Sequence, residues 1–235
     1  MRGVPGEAGE GMTLKTNARL AGFTFLLYIA VGIAIMVVSG RAVGGIGAAE
    51  RLASLARHGT EMRVTVLLAL VTVACAVVLA VTLYRITREV DEDLAMLGMI
   101  CRVLEGVFGA VGAATTLGLI WLATTAAPSA PGRLEVSASA ALGGLLLESQ
   151  GWDIGAICFA VGSALFCYLL LRGRLIPRWL AWIGVVASVL LVVGLPLQLV
   201  GWVSGAVVGI LWIPMALFEV PLGIWLMVRG VGSPV

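Results

Sequence analysis

The sequence predicts an all-α fold, a polytopic membrane helix bundle with six transmembrane helices. Hydrophobic residues make up 60% of the 235 residues and charged residues only 12%, which is too little charge for the surface of a soluble domain. The mean hydropathy of +1.09 comes from apolar runs, each near the ~20 residues that a membrane helix needs. We therefore expect a single transmembrane domain over residues 1–235.

The predicted spans are residues 20–39, 64–84, 95–125, 153–171, 179–200 and 205–228. The first run is too long for the apolar core of a signal peptide, so it is predicted to be an uncleaved helix. An even number of spans puts both termini on one side. That side carries Arg2, Lys15, Arg19, Arg85, Arg88, Arg172, Arg174, Arg178 and Arg229. The other carries Arg41, Arg51, Arg57, Arg63 and Arg133. Because basic residues collect on the inside, the termini are predicted to be cytoplasmic.

Two loops on the opposite side contain apolar residues of their own. In the first, "AAERLASLARHGTEMR" places Leu52, Leu55 and Ala56 on one face, which predicts a short interfacial helix. The second loop turns apolar between Leu142 and Leu147. We interpret that part as a re-entrant or surface-lying segment.

Charged residues interrupt two of the spans at matching depths. Arg102 and Glu105 lie three residues apart in the third span, and therefore on one face of the helix. Glu105 is eleven residues beyond Leu94, and Glu219 is ten residues before Arg229 in the sixth span. At a rise of ~1.5 Å per residue, both carboxyl groups lie at similar depth. If the third and sixth spans pack together, the three side chains meet in one layer.

One arginine then faces two carboxyl groups, Glu105 and Glu219. A lone charge in mid-membrane costs at least ~2.5–3.5 kcal/mol, so one carboxyl is expected to stay protonated and to serve as a general acid. The sequence does not decide which one. The alternative is a structural clasp, in which Arg102 and Glu219 tie the third span to the sixth and Glu105 supports them.

Aromatic and helix-breaking residues surround Glu219 in the sixth span. Trp212 lies two turns before it on the same face, and Phe218 is its neighbour. Aromatic faces stabilise cations, so Trp212 and Phe218 are candidate substrate-binding residues. Pro214 and Pro221 each remove a helical hydrogen bond and are expected to kink the helix.

Asp153 and Gln198 are further polar candidates for substrate binding on the side away from the termini. Asp153 opens the fourth span, where it either caps the helix or gates a pocket. In the third span, Gly106, Gly109 and Gly112 favour close packing against another helix, and the alternative is that they make space for a ligand.

Metal and cofactor chemistry has little support in the sequence. His58 is the only histidine, which argues against a His-rich zinc site. Lys15, the only lysine, precedes the first span, so a Schiff-base cofactor within the bilayer is excluded. The net charge of +2 gives no indication of nucleic-acid binding. We predict no metal and no cofactor, and the expected partners are the lipid bilayer and a lipophilic small molecule.

Four stretches carry a family resemblance over most of the chain. They are "ARLAGFTFLLYIAVGIA", "TLYRITREVDEDLAMLGMICRVLEG", "GWDIGAICFAVGSALFCYLLLRGRLIPRWLAWIGVVASV" and "FEVPLGIWLMVRGV". Together they resemble the DUF4386 family of bacterial membrane proteins. The resemblance implies a multi-pass protein of the bacterial cytoplasmic (inner) membrane, and it implies no particular chemistry.

Three functions remain open at this point. The first is an intramembrane enzyme that performs acid-initiated cyclisation or isomerisation of an isoprenoid or another lipid. Glu105 or Glu219 would be its acid, and Arg102 would position the other carboxylate. The second is a proton-coupled small-molecule transporter. The third is a structural or regulatory membrane protein whose buried charges only fix the helix packing. The enzyme predicts one pocket, and the transporter predicts access that alternates between two sides.

Overall fold

The structure is a computed structural model, and it describes residues 13–42, 48–126 and 154–232. These residues form helices and short turns, and none of them is in a strand. The helices are α1 (Leu14–Ala42), α2 (Ala48–Arg57), α3 (Gly59–Thr87), α4 (Glu92–Ala126), α5 (Ile154–Arg172), α6 (Arg178–Leu199) and α7 (Gly205–Val228).

Six of these helices, all but α2, are long and apolar enough to cross a membrane. The predicted six-span bundle is confirmed, and the chain is a multi-pass membrane protein. The helix ends differ from the predicted span ends by up to six residues, since α1 begins at Leu14 rather than residue 20. A helix does not stop where its apolar run stops, because backbone hydrogen bonding continues through the polar residues at the membrane surface.

The predicted short helix in the first loop is present as α2. Leu55 is buried beside Met62 of α3 and Ile120 of α4. The hydroxyl of Ser54 donates a hydrogen bond of 2.9 Å to the carbonyl of Ala42 at the end of α1. This helix therefore fastens the ends of three spans together. The expected segment at Leu142 to Leu147 lies outside the described residues.

The spans are arranged as a closed ring. Going round it, each of α1, α3, α4, α5, α6 and α7 packs against the next, and α7 packs against α1. We call the side that holds the start of α1 and the end of α7 the proximal side, and the opposite side the distal side. Every span crosses between these two sides, so residues at one depth on different helices can meet in the ring interior.

The proximal side of the ring is filled by apolar residues. In the turn between α5 and α6, Leu175 and Ile176 are buried. The backbone N–H of Gly232, just after α7, donates a hydrogen bond of 2.9 Å to the carbonyl of Leu175. The described C-terminal residues are thereby tied to this turn, and the core is continuous at this side.

Glycines set how closely neighbouring spans approach. A Cβ atom at Gly22 of α1 would overlap the carbonyl oxygen of Gly223 in α7. A Cβ at Gly162 of α5 would lie 3.2 Å from the carbonyl oxygen of Gly98 and 3.3 Å from Cγ of Arg102. The first contact closes the ring between α7 and α1. The second brings α5 against the part of α4 that carries the buried charges.

We expect Gly22→Ala to destabilise the protein by about 1–3 kcal/mol, because the added methyl group would push α1 away from α7. Gly32→Ala is the matched control, since it is in the same helix and a Cβ there meets nothing within 4 Å. Unfolding of the purified protein in detergent would measure both. Equal stability of the two variants would contradict the close crossing of α1 and α7.

Candidate functional site

The centre of the ring holds an ion pair within α4. Arg102 and Glu105 are 1% and 7% exposed. Nη1 of Arg102 lies 2.9 Å from Oε2 of Glu105. The helix places both on one face because they are three residues apart. Both charges are thus removed from lipid and water together.

Tyr28 of α1 forms a hydrogen bond with this carboxylate. Its hydroxyl donates a hydrogen bond of 2.7 Å to Oε1 of Glu105. One oxygen of the carboxylate therefore faces a hydroxyl donor, and the other faces a cation. Among the described residues, α1 and α4 make no direct backbone contact, so this hydrogen bond crosses the interior of the ring in front of α3.

Aromatic rings surround the guanidinium group of Arg102. The centroid of the Phe159 ring lies 4.8 Å from its Cζ atom, and the centroid of the Tyr28 ring lies 5.8 Å away. Trp212 packs on Phe159 with centroids 5.4 Å apart at a tilt of 36°. A cation over an aromatic face is attracted by the ring quadrupole, most strongly where water is absent. The Tyr28 and Phe159 rings therefore stabilise the guanidinium charge within the apolar interior of the ring of helices.

Glu219 reaches the same layer from α7. It is 6% exposed, and it lines a small cavity of about 10 Å³ together with Arg102, Ser163 and Phe218. Within the described part of the chain, Nε and Nη2 of Arg102 have no hydrogen-bond partner. A cavity of this size is near the minimum that holds one water molecule.

The ion pair in the structure differs from the one in the alternative interpretation, a clasp between Arg102 and Glu219. Arg102 forms its ion pair with Glu105 of its own helix rather than with Glu219. In the described residues, α4 and α7 make no backbone contact, because α5 and α6 stand between them on one side and α1 and α3 on the other. Arg102 and Glu219 nevertheless share one cavity, since both point into the ring.

A second cavity, which we call the inner cavity, begins on the other side of Glu105. It measures about 170 Å³. Its polar walls come from Glu105, Tyr28 and Thr72, and its aromatic walls from Phe159 and Trp212. The inner cavity is therefore lined mainly by apolar residues, with Glu105 among its few polar ones.

A third cavity, the outer cavity, continues toward the distal side. It measures about 580 Å³ between the described parts of α1, α3 and α4, with Ile154 of α5 at its edge. Gly109 lines both the inner and the outer cavity. The outer cavity lies toward the distal side of the ring. The inner and small cavities are lined by the two members of the ion pair, the inner cavity by Glu105 and the small cavity by Arg102.

The structure places the other predicted site residues apart from one another. Trp212 lines the inner cavity with Glu105, whereas Phe218 lines the small cavity with Glu219. Gln198, in the last turn of α6, is partly exposed and lines none of the three cavities described above. Asp153 lies outside the described residues. The predicted site is therefore split between two cavities.

Comparison with known proteins identifies the family. The sequence matches DUF4386, a domain of unknown function, over residues 20–230. The chain belongs to the DUF4386 family. No curated protein and no solved structure matches this DUF4386 protein.

Two contributors to the DUF4386 site were missed at the sequence level, Tyr28 and Phe159. Tyr28 gave a usable signal, because a hydroxyl in the middle of an apolar span needs a hydrogen-bond partner. The partner that the structure shows is the carboxylate of Glu105. Phe159 gave no signal, since a phenylalanine in a membrane span is ordinary.

Metal ligands are not grouped in the described parts of this DUF4386 protein, where no three His, Cys, Asp or Glu residues cluster. What the site offers instead is a carboxylate held by a cation and a hydroxyl at the wall of an apolar cavity. Such a carboxylate is placed to exchange a proton with a molecule in that cavity.

Proposed function

We propose that this DUF4386 protein is an intramembrane isomerase that moves a double bond in a lipophilic carbonyl compound. The observation that carries the proposal is the position of Glu105, which lines the inner cavity together with Phe159 and Trp212. The residues around it form the two things that such a reaction needs, an apolar space for the substrate and a positioned proton carrier.

The pairing of Glu105 favours isomerisation over acid-initiated cyclisation. Cyclisation begins with a strong acid, whereas Glu105 faces the Arg102 cation and accepts a hydrogen bond from Tyr28. With a cation and a hydroxyl donor both facing it, Glu105 is placed in this proposal as the base of an isomerisation rather than as the acid of a cyclisation. Glu219, the other candidate acid, lines the small cavity and not the inner one.

The proposed step needs no second reactant. Glu105 removes a proton from the γ carbon of an α,β-unsaturated carbonyl compound, and the C–H electron pair moves through the conjugated system to the carbonyl oxygen. The protonated Glu105 then returns the proton to the α carbon, and the electrons move back from the oxygen. The product is the β,γ-unsaturated isomer, and the enzyme regains its starting form.

Trp212 is the proposed donor to the carbonyl oxygen of the substrate. It lines the inner cavity with Glu105, and its indole N–H makes no hydrogen bond to any residue that the structure describes. A donor at the oxygen stabilises the negative charge that develops there during proton transfer.

Ligand binding tests the proposal directly. Isoprenoid enals, isoprenyl alcohols, quinones, isoprenyl diphosphates and bilayer lipids would be compared by thermal shift in detergent. We expect enals to raise the melting temperature of wild type and of Glu219→Gln, but not of Gly106→Leu. Gly106 lines the inner cavity, and a Cβ there meets its neighbours at 3.7 Å, so the leucine would fill the cavity. Failure of every enal to shift the wild type would refute the proposal.

A proton-coupled transporter is the second candidate. It is favoured by the position of Arg102 between two carboxyl groups, Glu105 at the inner cavity and Glu219 at the small one. An arginine that changed partners would couple the two halves of the ring. Ligand-driven proton movement into sealed proteoliposomes would support this function, and isomerisation without proton movement would exclude it.

The arginine distribution and the family also support a place in the bacterial inner membrane with cytoplasmic termini. A fluorescent-protein fusion at the C-terminus, which matures only in the cytoplasm, would be bright in cells if this is correct. If this fusion is dark, and a reporter enzyme that is active only in the periplasm is active when fused to the same terminus, the orientation is the reverse.

A further inference from the structure

The inner cavity is small compared with the outer one, at about 170 Å³ against about 580 Å³. The polar groups that would handle a carbonyl, Glu105, Tyr28 and Trp212, all line the inner cavity. A substrate confined to the inner cavity would be short. A longer substrate must extend from there into the outer cavity, and the described residues that the two cavities share include Gly109.

The outer cavity is suited to a hydrocarbon chain. Ile35, Met62, Val66 and Phe108 are among its walls. The hydroxyl groups along it donate hydrogen bonds to backbone carbonyls of their own helices. The distances are 2.7 Å for Ser39 and Thr65, and 3.0 Å for Thr115 and Thr116. Because each of these hydroxyls already donates its hydrogen bond within the protein, it can only accept a weak hydrogen bond from a ligand.

Glycine keeps the junction open. A Cβ at Gly109 would lie 3.4 Å from Cγ2 of Val73 on α3, so a small side chain fits there and a large one would fill the gap. One turn further along α4, a Cβ at Gly112 would meet nothing within 4 Å. The face of α4 is therefore bare along the line that joins the two cavities.

We infer that Gly109 sets the substrate class of this site: a single-chain amphiphile with its carbonyl head beside Glu105 and its chain running over Gly109 into the outer cavity. The inference rests on the proposed function. It makes Gly109 a determinant of chain length. A side chain at this position would block the passage of the substrate chain from the inner to the outer cavity, and it would leave Glu105, Tyr28 and Trp212 in place.

Two isoprenoid enals of different length test the inference, the short prenal and the long farnesal. Their dissociation constants would be measured for wild type, Gly109→Ala, Gly109→Leu and Gly118→Leu. Gly118 is the control, since it is on the same helix, lines neither cavity, and a Cβ there meets nothing within 4 Å. We expect Gly109→Leu to raise the dissociation constant of farnesal by at least ~10-fold, the effect of one or more poorly fitting methylene groups. Its dissociation constant for prenal should stay near that of wild type, and Gly118→Leu should bind both enals as wild type does.

The outcomes separate this inference from the proposed function. Wild type that binds both enals, together with a Gly109→Leu variant that binds both equally well, overturns the inference and leaves the function standing. Wild type that binds neither overturns both. If Gly109→Leu loses both enals, Gly109→Ala decides: selective weakening of farnesal supports the inference, and equal weakening of both enals overturns it.

Discussion

Replacement of Arg102 by methionine is expected to destabilise this protein by about 3–5 kcal/mol, the cost of leaving a buried charge without its partner. The guanidinium is 1% exposed and lies 2.9 Å from the Glu105 carboxylate. Once the cation is gone, Glu105 keeps only the hydrogen bond from Tyr28 among the contacts described above. Unfolding of the purified variant in detergent, followed by tryptophan fluorescence or by SDS titration, would measure the loss.

The double variant Arg102→Met/Glu105→Leu provides the decisive comparison. Because it removes both charges, it should recover most of the stability that the single variant loses. Arg172→Met is the matched control for arginine removal, since Arg172 pairs with Asp91 at the same distance of 2.9 Å but is half-exposed. That exposed pair contributes at most about 1 kcal/mol. A double variant less stable than Arg102→Met alone would contradict the burial of a balanced pair.

Replacement of Glu105 by glutamine is expected to slow isomerisation of farnesal by ~10²–10⁴-fold, the usual contribution of a positioned acid–base group. Glutamine keeps the size of the side chain and can still accept the Tyr28 hydrogen bond, but it has no carboxylate to carry a proton. The rate would be measured by chromatography of the enal isomers at saturating substrate.

Glu219→Gln is the control for this prediction. Glu219 is as buried as Glu105, at 6% against 7% exposed, but it lines the small cavity rather than the inner one. We expect its rate to stay within a few-fold of wild type. If Glu219→Gln loses the activity and Glu105→Gln keeps it, the proton carrier is Glu219 and the assignment made from the cavities is wrong.

The membrane spans and the depth of the charges could be predicted because both depend on local composition. A run of apolar residues defines a span wherever its neighbours lie, and Arg102 is costly in that setting whichever helix faces it. The shared depth of Arg102 and Glu219 follows in the same way from counting along each helix. The small cavity that both line agrees with that count.

The partners of the charges could not be predicted because they depend on which helices are neighbours. That order is set by contacts such as Gly22 with Gly223 and Gly98 with Gly162, and glycines are frequent throughout the spans. Hydropathy alone therefore allowed α4 to pack on α7, whereas the ring separates them. Tyr28 became a partner of Glu105 only through this arrangement.

The glycines of α4 show the same limit. Close packing was the favoured interpretation of Gly106, Gly109 and Gly112. Gly106 does lie near Val73 and Ala76 of α3, but a Cβ at Gly112 would meet no atom within 4 Å. A glycine that permits packing and a glycine that leaves a cavity look alike in a sequence, and only the neighbouring helix distinguishes them.

Transfer of deuterium within the substrate tests the central claim, that Glu105 exchanges a proton with a molecule in the inner cavity. Purified protein would be incubated in H₂O with farnesal deuterated at its γ carbons, and the recovered enal and its isomer would be analysed by mass spectrometry. We expect wild type to form the β,γ-unsaturated isomer with deuterium moved to the α carbon, and Glu105→Gln to form none above the protein-free control. Farnesal that binds to wild type and is recovered unchanged, with all of its deuterium at the γ carbons, would contradict the claim.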